Sequence, residues 1–124
     1  GYDKFSFPFY VKVRMLVGGS ENMDIKYKKS SAVLFIYLSG ELDEYAANMS
    51  RSVLDKLLDE NLNAGKVVFD MSGLNFMDST GIGMLIGRYK KLKNFGIPVY
   101  IAGANNAIEK VITLSGLYAI MPKY

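Results

Sequence analysis

Lys66-Val-Val-Phe-Asp-Met-Ser-Gly-Leu-Asn-Phe-Met-Asp-Ser-Thr-Gly-Ile-Gly-Met-Leu-Ile-Gly-Arg-Tyr-Lys-Lys-Leu-Lys93 is the stretch whose reading decides the fold. Its first six residues, KVVFDM at 66–71, form a short run centred on Val67, Val68 and Phe69, which reads as a buried strand. Residues 72–78 read as a connection. From 79 to about 94 the period changes: Ile82, Leu85, Ile86, Tyr89 and Leu92 recur at helical spacing. Arg88, Lys90, Lys91 and Lys93 crowd the last two turns, where cations suit the helix dipole, and Gly96 terminates the helix. A buried strand followed by an amphipathic helix is half of a crossover unit.

Working outward, the same alternation repeats. Residues 32–39 (AVLFIYLS) read as a second buried strand, stopped by Gly40. Asp43 caps a helix whose inward face carries Ala46, Met49, Val53, Leu54, Leu57 and Leu58, and Asn61, Asn63 and Gly65 end it. After Pro98, residues 99–102 form a strand, residues 105–114 a short helix closed by Gly116, and residues 117–121 a last short strand. Residues 24–29 add a strand at the other end. The order β-β-α-β-α-β-α-β predicts an α/β fold: a mixed, mostly parallel sheet of four to five strands with helices packed on it through right-handed crossovers.

Composition narrows the function classes. At 124 residues the chain is long enough for one domain with a real core. It has no cysteine and no histidine, which excludes disulfides, thiolate metal sites and any catalytic centre built on Ser-His-Asp or Cys-His within the chain. A carboxylate-only or lysine-based enzyme stays open. The net charge of +3 is small, and no long basic run interleaves with aromatics, so no nucleic-acid partner is expected. No stretch nears the roughly 20 apolar residues that span a bilayer, and the expected setting is a soluble protein of the cytoplasm.

The first 22 residues follow another pattern. Phe5, Phe7, Phe9, Val11, Val13, Met15 and Val17 fall on alternate positions, which fits a strand. A second reading competes. Gly18 and Gly19 would be encoded GGN-GGN, which can spell a bacterial ribosome-binding site three codons before Met23. Residues 1–22 would then be a translated upstream leader or a vector-derived stretch, with Gly1 a protease scar, and the domain proper would be 23–124.

The segment most able to carry recognition is Asn75-Phe-Met-Asp-Ser-Thr-Gly-Ile-Gly83, which joins the strand to its helix. Asp78 or Ser79 suffices as an N-cap, and the glycines permit close packing. A dinucleotide-binding reading of Gly81, Gly83 and Gly87 fails: the spacing is GxGxxxG and no acidic residue lies in 99–103. With Ile82, Leu85, Ile86 and Tyr89 turned inward, Thr80, Gly83, Met84, Gly87 and Lys91 are expected to face solvent. Two interior glycines cost a helix about 0.5–1 kcal/mol each, so close approach of a partner or of a neighbouring element is implied.

Phe76-Met-Asp-Ser-Thr-Gly-Ile-Gly83 resembles the signature of the STAS domain family, in particular its anti-sigma F factor antagonists from spore-forming bacteria. The resemblance extends to Leu38-Ser-Gly-Glu-Leu-Asp43, Gly87-Arg-Tyr-Lys90 and Leu114-Ser-Gly-Leu117, and so covers 23–124. It implies a binding module, not an enzyme, that needs no cofactor. Ser79 matches the serine phosphorylated by the cognate anti-sigma factor, itself a serine kinase. Asp43 matches a loop aspartate in contact with that kinase. Asp78, Thr80, Gly81, Ile82, Gly83, Met84, Gly87 and Arg88 match the docking surface around that serine. The implied cycle is binding of the kinase and release of a sporulation sigma factor, inactivation by phosphorylation, and resetting by a PP2C-type phosphatase. Thr80 stands where a second serine is common, and Glu44-Tyr45 where close relatives often carry histidines. A general-stress antagonist or a stressosome-type scaffold of the same family is the alternative.

Overall fold

The computed structural model describes residues 9–11, 16–17, 20–21 and 23–124, with side chains described from Met23 onward. Strands β1 (Phe9–Val11), β2 (Leu16–Val17), β3 (Ser20–Glu21), β4 (Met23–Ser30) and β5 (Val33–Leu42) come first. Helix α1 (Glu44–Asp59), β6 (Lys66–Met77), α2 (Ser79–Lys93), β7 (Val99–Ala102) and α3 (Asn106–Ser115) follow, then a 3₁₀ turn at Leu117–Ala119. The main sheet has the order β1-β4-β5-β6-β7, while β2 and β3 form a separate two-stranded pair. β5–β6 and β6–β7 are parallel and β4–β5 antiparallel, so the α/β prediction of a mixed, mostly parallel sheet holds over β4 to β7. Of the expected N-terminal strand, Phe9–Val11 pairs with Ile25 to Tyr27. Positions 5, 7, 13 and 15 lie outside the described residues.

The core follows from strand periodicity and crossover handedness. Each step β5→β6→β7 moves the same way across the sheet, and right-handed crossovers therefore put α1 and α2 on one face. That face collects Leu34, Ile36, Leu38, Phe69 and Met71 beneath Leu54, Leu58, Leu85 and Leu92, all buried. Burying a side chain of this size contributes about 1.5–3 kcal/mol.

Four expectations are corrected. Gly40 does not stop β5; it takes a positive φ of 100° and the strand continues to Leu42. Residues 72–78 are not a connection, because β6 continues to Met77. The pairing survives there by register shifts between Tyr37 and Ser39 and between Gly40 and Glu41. The Asp70 carboxylate accepts from the backbone N–H and hydroxyl of Ser72 at 2.8 and 2.6 Å, which supplies local partners beside the first shift. At Gly73 a Cβ would lie 2.7 Å from Ser39 Cβ and against the Tyr37 ring. Third, residues 117–121 are no strand. Gly116, at φ 76°, turns the chain into the 3₁₀ turn that buries Leu117 and Met121, and only Lys123 forms a bridge with Ile101. Fourth, Met49 is half exposed and not on the inward face of α1.

Candidate functional site

Leu42 and Met77 are register partners at the ends of β5 and β6. The chain leaves both strands in the same direction and enters a helix one residue later. Asp43 and Asp78 are thereby brought to one edge of the sheet, each as an N-cap. The Asp43 carboxylate accepts from the Ala46 N–H at 2.9 Å, and the Asp78 carboxylate from Thr80 and Gly81 N–H at 3.0 and 3.2 Å. Between the two helix heads is a cleft of about 490 Å³, lined by Asp43, Glu44, Tyr45, Asn48 and Asp78.

Ser79 is the first residue of α2 and is exposed. Its position puts a hydroxyl at the positive end of the helix dipole, where an anion is favoured. Asp78, and not Ser79, is the cap, so the Ser79 hydroxyl is not committed to capping. Thr80 beside it is half-buried. Gly83 and Gly87 continue the outward row along α2, and a Cβ at either would meet nothing within 4 Å. Gly83 is exposed and Gly87 partly so.

The other residues singled out on α2 are elsewhere. Gly81 is buried: a Cβ there would lie 2.8 Å from Met77 Cγ and 2.9 Å from Leu42 Cγ, so this glycine permits helix and strand ends to touch. Ile82 is buried in the core. Met84 was expected at the surface and is instead 1% exposed. Met84, Arg88 and Lys91 lie at i, i+4 and i+7, a single stripe, and that stripe faces α1. Arg88 Nε is 3.0 Å from Asp55 Oδ1, and Lys91 Nζ is 2.8 Å from Asp59 Oδ1. The charged heads at two of the three positions disguised the stripe as a solvent face. Arg88 is thus engaged with α1, its side chain 13% exposed.

Sequence reasoning noted Glu44 and Tyr45 only as a departure from close relatives and passed over Asn48; all three are in the cleft wall. No local signal marks them; their place follows from the Leu42–Met77 register.

The arrangement is built from carboxylates, a hydroxyl and open helix surface. Among the described residues no group of three or more His, Cys, Asp or Glu side chains could hold a metal ion. What it offers is an exposed hydroxyl at a helix head, two aspartates beside it, and a smooth row along one helix.

The chain is 33% identical over 103 residues to the anti-sigma F factor antagonist of Paenibacillus polymyxa, covering 83% of this chain and 87% of that one. It is 25% identical over 100 residues to the anti-sigma-B factor antagonist of Staphylococcus aureus, covering 81% and 91%. Among solved structures, the anti-sigma factor antagonist SpoIIAA in its unphosphorylated form superposes with a TM-score of 0.68 at 24% identity, over 81% of this chain and 87% of that one. The phosphorylated form of the Bacillus cell fate determinant SpoIIAA gives 0.61, also at 24% identity, over 81% and 90%. The family model described as the STAS domain matches residues 24–124, and the chain belongs to the STAS domain family.

Proposed function

We propose that this protein is an anti-sigma factor antagonist of the sporulation type, a cytoplasmic binding module with no catalytic activity of its own. In its unphosphorylated form it binds an anti-sigma factor that is also a serine kinase, and the sporulation sigma factor is released. Transfer of phosphate to Ser79 ends the interaction, and a PP2C-type phosphatase restores it.

The observation that carries this reading is Ser79 itself. It is exposed at the head of α2, beside two aspartates and at the start of an open glycine row. A phosphate there adds about −1.5 to −2 charges and three acceptor oxygens to a surface that must be desolvated on docking. Buried without a partner, such charge is prohibitive, and one modification suffices to turn binding off. The names of the relatives support the same reading, and the higher identity to the anti-sigma F antagonist, 33% against 25%, favours sporulation over general stress.

The test is incubation with the cognate kinase and ATP, followed by mass spectrometry. Wild type is expected to take one phosphate at Ser79, while Ser79→Ala stays unmodified and holds the kinase in a stable complex. Phosphate at Thr80 in the Ala variant, at the wild-type rate, would overturn the assignment.

A further inference from the structure

Resting on the antagonist reading above, we infer that the docking surface continues from α2 across the cleft onto the first two turns of α1, with Tyr45 and Met49 as its apolar anchor for the anti-sigma factor. Tyr45 and Met49 lie at i and i+4 on α1, which puts them on one face. They are 48% and 49% exposed. Isolated exposed apolar residues are ordinary on any protein. These two are adjacent to each other, and Tyr45 lines the same cleft as Asp43 and Asp78, the latter directly preceding Ser79.

Three features commit the patch to this partner. The first is continuity, because one cleft is lined both by Asp78, which precedes Ser79, and by Asp43, Tyr45 and Asn48. The second is rigidity. Arg88 and Lys91 tie α2 to Asp55 and Asp59, so the two helices present their outer rows as one surface. The third is charge. Exposed Glu41 and Glu44 accompany Asp43 and Asp78 around the apolar pair, whereas the far end of α2 carries exposed Lys90 and Lys93. A partner that presents an apolar ridge flanked by guanidinium or ammonium groups fits the acidic end in one orientation only. Tyrosine is enriched among the residues that dominate binding energy, and methionine adapts its shape to the surface it meets.

Calorimetric titration with the purified cognate anti-sigma factor tests the inference. Tyr45→Ala and Met49→Ala are each expected to weaken binding about tenfold, and the double variant more. Tyr45→Phe and Met49→Leu should stay within about threefold of wild type, and all should melt as wild type because the side chains project outward. Suppose the double Ala variant binds like wild type while Gly87→Leu does not: the α1 patch then lies outside the interface, and the antagonist reading survives. Failure of wild type itself to bind would remove that reading and this inference together. If the double variant keeps its affinity for the anti-sigma factor but loses self-association in sedimentation, the patch joins copies of the chain and the inference is wrong.

Discussion

A Cβ at position 81 would lie 2.9 Å from Leu42 Cγ and 3.0 Å from the Leu42 carbonyl oxygen; Gly81 and Leu42 therefore meet where the head of α2 crosses the end of β5. The carbonyl belongs to backbone that is itself paired in the sheet, so it has little freedom to retreat.

This contact separates three glycines that look alike in sequence. Gly81→Ala is expected to destabilise by about 1–3 kcal/mol through overpacking. Gly83→Ala and Gly87→Ala meet open space and should stabilise the helix by about 0.5–1 kcal/mol each. Urea unfolding of the three variants would show it, and a Gly81→Ala variant as stable as wild type would contradict the close contact.

The two caps invite a separation of charge from hydrogen bonding. Asp43→Ala and Asp78→Ala each leave N–H groups of the first helical turn without their acceptor and should lose about 0.5–2 kcal/mol. Asparagine keeps the acceptor oxygen, so Asp43→Asn and Asp78→Asn should recover most of that stability while removing the negative charge. If the Asn variants melt as early as the Ala variants, the aspartates stabilise through charge at the helix dipole and not through the bonds seen here.

How much of this was legible follows from where each signal resides. The buried strands around Leu34–Leu38 and Val67–Phe69, the Asp43 cap and the span of α2 are local patterns, and the sequence carries them openly. The extension of β6 through Ser72 and Asn75 was hidden, since only pairing with β5 across two register shifts holds those polar residues in a strand. Met84 was misplaced because Arg88 and Lys91 share its stripe, and their cationic heads find acids on α1 that no local pattern reveals. The proximity of Asp43 and Asp78, 35 positions apart in sequence, depends on the Leu42–Met77 register alone. The site was therefore readable as separate residues and not as a cleft.

At the C-terminal side, Glu109 joins the tail to α3. Lys123 Nζ lies 2.6 Å from Glu109 Oε1, and the Tyr118 hydroxyl donates to Oε2. The hydrogen bond from Lys123, then that from Tyr118, holds the Glu109 carboxyl below its ordinary 4.5. A carboxyl lowered on folding gives stability that is fully present above its unfolded value and is lost as pH falls through the folded one. Glu109→Gln should thus melt below wild type at neutral pH, by a small margin because the group is solvated, and match it in acid. Melting curves from pH 7 down to about 3 would check this. A gap that persists unchanged into acid would assign the effect to packing instead of charge.

Phosphorylation of Ser79 could act by reshaping the domain or by spoiling only its surface, and the energetics favour the second. The helix N-terminus welcomes an anion by roughly 0.3–1 kcal/mol at an exposed position. Of the N–H groups in its first turn, however, those of Thr80 and Gly81 already donate to the Asp78 carboxylate. Asp78, and Asp43 across the cleft, repel the phosphate by a similar amount in solvent, where salt screens the interaction. The opposing effects nearly cancel. Beneath them Leu42, Met77 and Gly81 are buried. Phosphorylated protein should therefore melt within a few degrees of the unmodified form while its affinity for the anti-sigma factor collapses. Amide NMR spectra of the two forms should differ around residues 43–48 and 78–84 and agree across Val33–Leu38 and Val67–Phe69. Shifts spreading through those strands, together with a large change in melting temperature, would mean that the switch works by refolding the core.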